Sequence, residues 1–288
     1  MSRSVRPKAT VPSLRSRKGA SPPIVALTAY DFPTASALDE AGVDLLLVGD
    51  SLGMVVLGHK TTLPVTMDVM VHHTAAVARA RPSALVVADM PFLSYHTCRE
   101  DAVRNAGRLV REAGAEAVKI EGGRRRAGVV AAIVDADIPV MGHIGLTPQA
   151  VHAMGGYRVQ GRTPEAVEAL LDDARALEEA GAFGIVLEGI PAEAARLVTR
   201  STGVPTIGIG AGPWCDGQIL VVHDLLGWSA GPVPKFVRRY ADLRAAAVEA
   251  VRAFAADVAG GRFPAEAESY SAGVRSGADG GAAPPGRR

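Results

Sequence analysis

Four carboxylates stand at matching places in four apolar runs: Leu45-Leu46-Leu47-Val48-Gly49-Asp50, Leu85-Val86-Val87-Ala88-Asp89, Ala117-Val118-Lys119-Ile120-Glu121 and Gly184-Ile185-Val186-Leu187-Glu188. Acids gathered on one rim repel one another and raise each other's pKa unless a cation or a substrate offsets the charge. Asp50, Asp89 and Glu121 are hard oxygen donors without neighbouring His or Cys, a set that suits Mg²⁺ better than zinc. Such an ion can chelate an α-keto acid and stabilise the enolate left when an adjacent C–H is deprotonated. Glu188, on a different run, reads as the base for that proton. Lys119, two residues from Glu121 and so on the same side of a strand, offers positive charge to the substrate. Ser51 can hydrogen-bond a substrate oxygen, although serine after a strand is also ordinary turn chemistry.

These runs are rich in Val, Leu and Ile without alternation, which is how strands buried on both faces read in parallel sheets under helices. Eight such segments are predicted, near residues 24–29, 44–49, 84–88, 117–120, 139–142, 185–187, 206–209 and 219–222, separated by helical stretches. Glu40-Ala41-Gly42, Glu112-Ala113-Gly114 and Glu179-Ala180-Gly181 each read as a helix end capped by glycine before the next strand. Thr163-Pro164-Glu165 reads as a helix start with proline at its first position. Residues 211–218 are too few for a helix, so one unit is abbreviated, and an amphipathic segment over 236–258 closes the domain. Eight strands interleaved with helices favour a (β/α)8 TIM barrel, whose ligands sit at the carboxyl ends of the strands, over an open doubly wound sheet. Residues 1–23 read as a disordered basic leader, 24–270 as the catalytic barrel and 271–288 as a disordered Gly/Ala-rich tail.

With 31 Lys and Arg against 30 Asp and Glu, the balance of charge gives no reason to expect nucleic acid or a membrane surface as partner. The 2 cysteines, Cys98 and Cys215, make no disulfide framework and fit a reducing cytoplasm. No segment approaches the roughly 20 apolar residues that span a bilayer. His143 ends the fifth strand, where a ligand contact and a hydrogen-bonded structural role are equally in view. His72-His73 reads as partly buried packing, and Ile207-Gly208-Ile209-Gly210-Ala211-Gly212 as close backbone packing rather than a nucleotide cradle.

Taken together, the motifs resemble the ketopantoate hydroxymethyltransferase family across residues 24–269. The resemblance is carried by Thr28-Ala29-Tyr30-Asp31, Val48-Gly49-Asp50-Ser51-Leu52-Gly53-Met54, Thr62-Leu63-Pro64-Val65-Thr66 and Ala88-Asp89-Met90-Pro91-Phe92. It continues through Val118-Lys119-Ile120-Glu121-Gly122-Gly123, Gly142-His143-Ile144-Gly145-Leu146-Thr147-Pro148-Gln149 and Gly155-Gly156-Tyr157-Arg158-Val159-Gln160-Gly161-Arg162, and ends on the glycine run at 207–212. It implies a Mg²⁺-dependent barrel of the phosphoenolpyruvate/pyruvate type that transfers a hydroxymethyl group from 5,10-methylenetetrahydrofolate to 3-methyl-2-oxobutanoate, giving 2-dehydropantoate for pantothenate and coenzyme A synthesis. By the family pattern Asp50, Asp89 and Glu121 hold the metal, Asp50, Ser51, Asp89 and Lys119 bind the keto acid, and Glu188 accepts the proton. A cytoplasmic homo-oligomer, commonly a decamer, is implied as well. Arg124-Arg125-Arg126 reads first as a solvated helix start and second as an influence on the folate or its glutamate tail. Two competing expectations are a Mg²⁺-dependent lyase or aldolase of the same barrel group, which would need no folate, and a barrel that binds metal and keto acid without turnover.

Overall fold

Each strand of this protein carries two sets of side chains, and the two sets have different destinations. In the computed structural model, which describes residues 6–229, 231 and 233–270, eight parallel strands follow one another in chain order around a ring. They are β1 (Ile24–Thr28), β2 (Leu45–Val48), β3 (Leu85–Asp89), β4 (Ala117–Glu121), β5 (Val140–Gly145), β6 (Gly184–Glu188), β7 (Thr206–Ile209) and β8 (Gly217–Leu220). β1 pairs with both β2 and β8, which closes the barrel expected from the sequence. Ile24, Ala26, Leu45, Leu47, Leu85, Val87, Ala117, Met141, Val186, Ile207 and Ile219 pack with one another in one buried cluster. The intervening Leu46, Val48, Val86, Ala88, Val118, Ile120, Val140, Ile185 and Leu187 belong to a second cluster shared with helical residues such as Met70, Leu109, Ile133 and Leu177. Period two thus sorts an unbroken apolar run into a barrel interior and a helix-facing layer.

The helices are α1 (Val11–Arg15), α2 (Phe32–Glu40), α3 (Leu52–Val55), α4 (Met67–Ala78), α5 (Arg99–Arg111), α6 (Ala127–Asp135), α7 (Pro164–Glu179), α8 (Ala192–Ser201), α9 (Val222–Leu225) and α10 (Leu243–Ala259). Their starts follow local chemistry: Thr66 caps α4 by accepting from the Val69 N–H, and Thr163 caps α7 by accepting from Ala166. α5 carries Glu100 and Asp101 in its first turn and Arg108 and Arg111 in its last, matching the helix dipole at both ends. Gly42, Gly114 and Gly181, which follow α2, α5 and α7, have φ of +89°, +78° and +93°, the left-handed cap read from the three Ala-Gly pairs. No helix separates β7 from β8, as expected from the short spacing.

Several boundaries differ from the sequence reading. β5 runs on to Gly145, because its pairing with β6 continues through Ile144 with Leu187 and Gly145 with Glu188. β8 begins at Gly217, paired with Ile24, and Val222 already opens α9. α10 starts at Leu243 rather than near 236, since the Asp242 side chain accepts from the Ala245 N–H and sets the first turn there.

The leader also departs from its expected disorder over its described part. Thr10 and Ser13 form a capping box for α1, and Leu14 is buried with Ile24, Leu45, Leu85, Met141 and Phe183, among the interior residues of the strands' early positions. Lys18 pairs with buried Asp216 at 2.9 Å, and Lys8 donates to the carbonyl oxygens of Pro82 and Ala84. The basic residues that suggested a solvated tail are the ones that tie it down. The chain divides into two units, Met1–Ala241, which holds the barrel, and Asp242–Arg288, which holds α10. The expected tail at 271–288 and residues 1–5 lie outside the described residues.

Candidate active site

The inward series of β3, β4, β5 and β6 turns polar at its carboxyl end. On β3, Leu85 and Val87 are followed by Asp89; on β4, Ala117 is followed by Lys119 and Glu121; on β5, Met141 by His143; on β6, Val186 by Glu188. Register then places these groups side by side, with Asp89 beside Lys119 and Glu121 beside His143. Asp50 and Ser51 follow β2. Gly145 makes the crowding possible: a Cβ there would run into the Glu188 carbonyl oxygen, and its φ of +93° suits glycine.

Asp50, Asp89, Lys119, Glu121 and His143 are all buried, whereas the Glu188 side chain keeps 16% exposure. With Ser51 and Thr28 they line a cavity of about 100 Å³. The Lys119 Nζ lies 3.0 Å from Asp89 Oδ1 and 3.0 Å from His143 Nδ1. His143 Nδ1 is also 3.6 Å from Glu121 Oε1, and its Nε2 is 3.2 Å from Glu188 Oε2. When the ring is neutral, Nδ1 must accept from the Lys119 ammonium, which leaves the ring proton on Nε2, facing Glu188. The backbone N–H of Asp50 donates to Asp89 Oδ2 at 3.1 Å, holding those two carboxylates together. The Tyr30 hydroxyl and Ser51 Oγ are hydrogen-bonded at 2.8 Å.

The electrostatics are those of an acidic cluster built around one lysine. Burial, then the charges of Asp89 and Glu121, push the Asp50 carboxyl well above the usual range. Burial also raises Asp89, although Lys119 acts against it. Burial opposes charge on Glu121, yet His143, Lys119 and the Gln149 N–H outweigh it and hold its carboxyl below the usual value. For Lys119, burial disfavours the ammonium, while Asp89, Glu121 and Asp50 more than compensate and keep it protonated. Burial and the Lys119 charge lower His143, but Glu121 and Glu188 carry the balance upward.

All of the residues singled out in the sequence, Asp50, Ser51, Asp89, Lys119, Glu121 and Glu188, therefore line one cavity. Among the described residues no three His, Cys, Asp or Glu side chains are gathered as a ready-made metal cluster, and Lys119 stands among the acids. The donor set still fits a hard cation. Asp50 and Asp89 are adjacent oxygen donors, and three buried acids face a single lysine, so a divalent ion would relieve the repulsion that raises Asp50. Sequence reasoning passed over Gln149 and Tyr95. Gln149 Nε2 donates to Asp50 Oδ2 at 2.8 Å, its backbone N–H donates to Glu121 Oε2 at 2.9 Å, and its Oε1 accepts from the Tyr95 hydroxyl at 2.6 Å. The only signal for Gln149 was its place in the Gly142–Gln149 motif; for Tyr95 there was none. His73 hydrogen-bonds the Tyr30 carbonyl oxygen at 2.7 Å while His72 is exposed, so neither lines the cavity.

Comparison with known proteins bears on the fold and the family. Similar solved structures include a phosphonopyruvate hydrolase in complex with oxalate and Mg²⁺ (TM-score 0.59, 17% identity, 91% of this chain and 92% of that one). A 2,3-dimethylmalate lyase of the PEP mutase/isocitrate lyase superfamily gives a TM-score of 0.56 at 20% identity, over 90% of this chain and 91% of that one. At these identities the likeness shows the fold. Sequence relatives are far nearer: a 3-methyl-2-oxobutanoate hydroxymethyltransferase of Geobacter metallireducens is 57% identical over 92% of this chain and 99% of its own length. That of Thermoanaerobacter sp. is 54% identical over 92% and 96%. The ketopantoate hydroxymethyltransferase family model matches residues 8–266. On a match that spans nearly all the described chain and includes every residue of the cavity, the protein belongs to the ketopantoate hydroxymethyltransferase family.

Proposed function

We propose that this enzyme transfers a hydroxymethyl group from 5,10-methylenetetrahydrofolate to 3-methyl-2-oxobutanoate, giving 2-dehydropantoate, in the cytoplasm. One observation carries the chemistry. A buried cluster, Asp50, Asp89, Glu121 and Lys119, lies beside a less buried carboxylate, Glu188, that joins it only through His143. Asp50, Asp89 and Glu121 would hold Mg²⁺, which would supply Lewis-acid polarisation of the oxygens of the keto acid. Lys119, kept protonated by its acidic neighbours, and the Ser51 hydroxyl receive the remaining substrate oxygens. Glu188 removes the proton from C3 of the keto acid. His143 Nε2 lies 3.2 Å from the Oε2 of that carboxylate, close enough to influence where it sits. The resulting carbon nucleophile forms the new C–C bond to the methylene carbon of the donor, one water supplies the hydroxyl oxygen, and the two C–N bonds of the donor break to release tetrahydrofolate, whose nitrogens take up the proton from C3 and the one left by water. The cavity of about 100 Å³ suits a small keto acid. No helix among the described residues is long and apolar enough to cross a membrane, and Cys98 and Cys215 are unpaired.

The same reading includes a homo-oligomer, a decamer by family likeness. α10 supports it: none of its residues is buried, and Val248, Val251, Phe254 and Val258 recur at helical spacing on it.

The test separates binding from chemistry. With Glu188→Gln, Mg²⁺-dependent keto-acid binding measured by calorimetry should persist, while exchange of the C3 hydrogen with solvent deuterium should fall by about 10²–10⁴-fold. Retained exchange would remove Glu188 from the base role. Asp50→Ala should abolish the Mg²⁺-dependent part of keto-acid binding, and an unchanged isotherm would refute its place at the metal. Turnover of a hydroxy acid without methylenetetrahydrofolate would favour a lyase instead.

A further inference from the structure

Beside the barrel mouth lies a larger cavity, about 600 Å³, walled by the segments that follow β3, β4 and β5. Glu121 lines both cavities, so they meet at the end of β4. The difference in size is informative. The smaller space suits a keto acid, whereas the larger falls within the roughly 300–1,000 Å³ of pockets that enclose drug-sized ligands.

The wall of this cavity has two kinds of chemistry. Phe92, Tyr95 and His96 form an aromatic side, with ring centroids 5.4 Å apart for Phe92 and His96, and 4.1 Å apart at 36° for Tyr95 and His96. Burial, then the charge of Arg126, lowers His96 to about 4, so its ring is neutral at neutral pH. Its Nδ1 is buried without a hydrogen-bond partner, a cost that a ligand group can remove. The other kind of chemistry is cationic. Of three consecutive arginines, only Arg124 has an acidic partner among the described residues, Asp172 at 3.6 Å. Arg126 is half-buried with its guanidinium carbon 5.9 Å from the centre of the Tyr95 ring, and Arg125 lines the same cavity. The acids of the wall are already engaged: Asp173 accepts from the Arg124 N–H at 2.9 Å, and Glu121 accepts from Gln149. Flat rings next to two unpaired guanidinium groups describe a ligand that is aromatic over much of its length and carries carboxylate at one end.

We propose that this cavity binds the one-carbon donor, with the ring systems of the reduced folate along Phe92 and His96, which buried Tyr95 backs, and its glutamate carboxylates on Arg125 and Arg126. The assignment rests on the transferase reading above and adds the place where the second substrate sits. It also puts the donor against the wall shared with the keto-acid cavity, as a direct transfer between two bound substrates requires.

The experiment compares binding of tetrahydrofolate and of tetrahydropteroate, which lacks the glutamate, to protein loaded with Mg²⁺ and keto acid. Wild-type protein should prefer tetrahydrofolate by about tenfold or more, the contribution of charge-assisted contacts to the tail. Arg126→Gln and Arg125→Gln should lose that preference, Arg126→Lys should retain most of it, and keto-acid binding should be unchanged in all three. Glutamine variants that keep the wild-type preference would overturn the assignment while leaving the transferase reading intact, provided Glu188→Gln still abolishes exchange. Wild-type protein that binds neither compound would overturn both.

Discussion

Gln149 sets how the acids of the site face one another. Its side chain donates to Asp50 and to the Met90 carbonyl oxygen, and its backbone N–H donates to Glu121, so one residue fixes two carboxylates from different strands. A neutral amide in this position can order two anions without neutralising either, which leaves their charge for a cation. His96 lends itself to a pH measurement. Its value in the folded chain, about 4, lies below the ordinary 6.5. Between those two values an unfolded chain takes up a proton that the folded chain refuses, so this residue weakens the fold as pH falls through that window and has no such effect above it. An NMR titration should show the His96 midpoint near 4. A midpoint near 6.5 would mean that neither burial nor Arg126 acts on it.

At the level of elements, α1 is the part most open to challenge. Leu14 is 3% exposed and packs among residues from five strands or their approaches, so Leu14→Ala should cost about 2–5 kcal/mol in chemical denaturation. A loss under 1 kcal/mol would show that the leader rests on the barrel without supporting it. This element was also the least legible in the sequence. Lys, Arg, Ser and Pro around a single Val-Pro-Ser-Leu turn carry too little apolar periodicity to announce a helix, and the partners that bury Leu14 are remote in sequence. The strands were legible for the opposite reason, since burial on both faces leaves an unmistakable apolar run. The polar ends of those runs marked Asp50, Asp89, Lys119, Glu121 and Glu188 before any coordinates. His143 was visible but ambiguous, because a histidine at a strand end looks the same whether it touches a ligand or a carboxylate. Gln149 and Tyr95 lie beyond strand ends, where no period marks a direction, and only the fold brings them to the acids.

For the molecule as a whole, self-association is the property to measure. Val251 and Phe254 of α10 are 65% and 53% exposed, and a second copy of the chain is the partner that the proposed assembly supplies. Val251→Asp with Phe254→Asp should shift sedimenting mass to smaller species at micromolar concentration. An unchanged mass would place the contacts of the assembly elsewhere. The two cavities make a related point about size. A fold whose interior is filled nearly to the strand ends has room for only a small reactant there, so a large second substrate must approach from the loops.

Pairing of Ile24 with Gly217 has a consequence for how the protein is made. The first strand to leave the ribosome waits for the last, and until some 220 residues have emerged its outer edge has no mate. A nascent chain stalled before Gly217 therefore displays an open sheet edge rather than a finished ring, the stage at which a chaperone has something to hold.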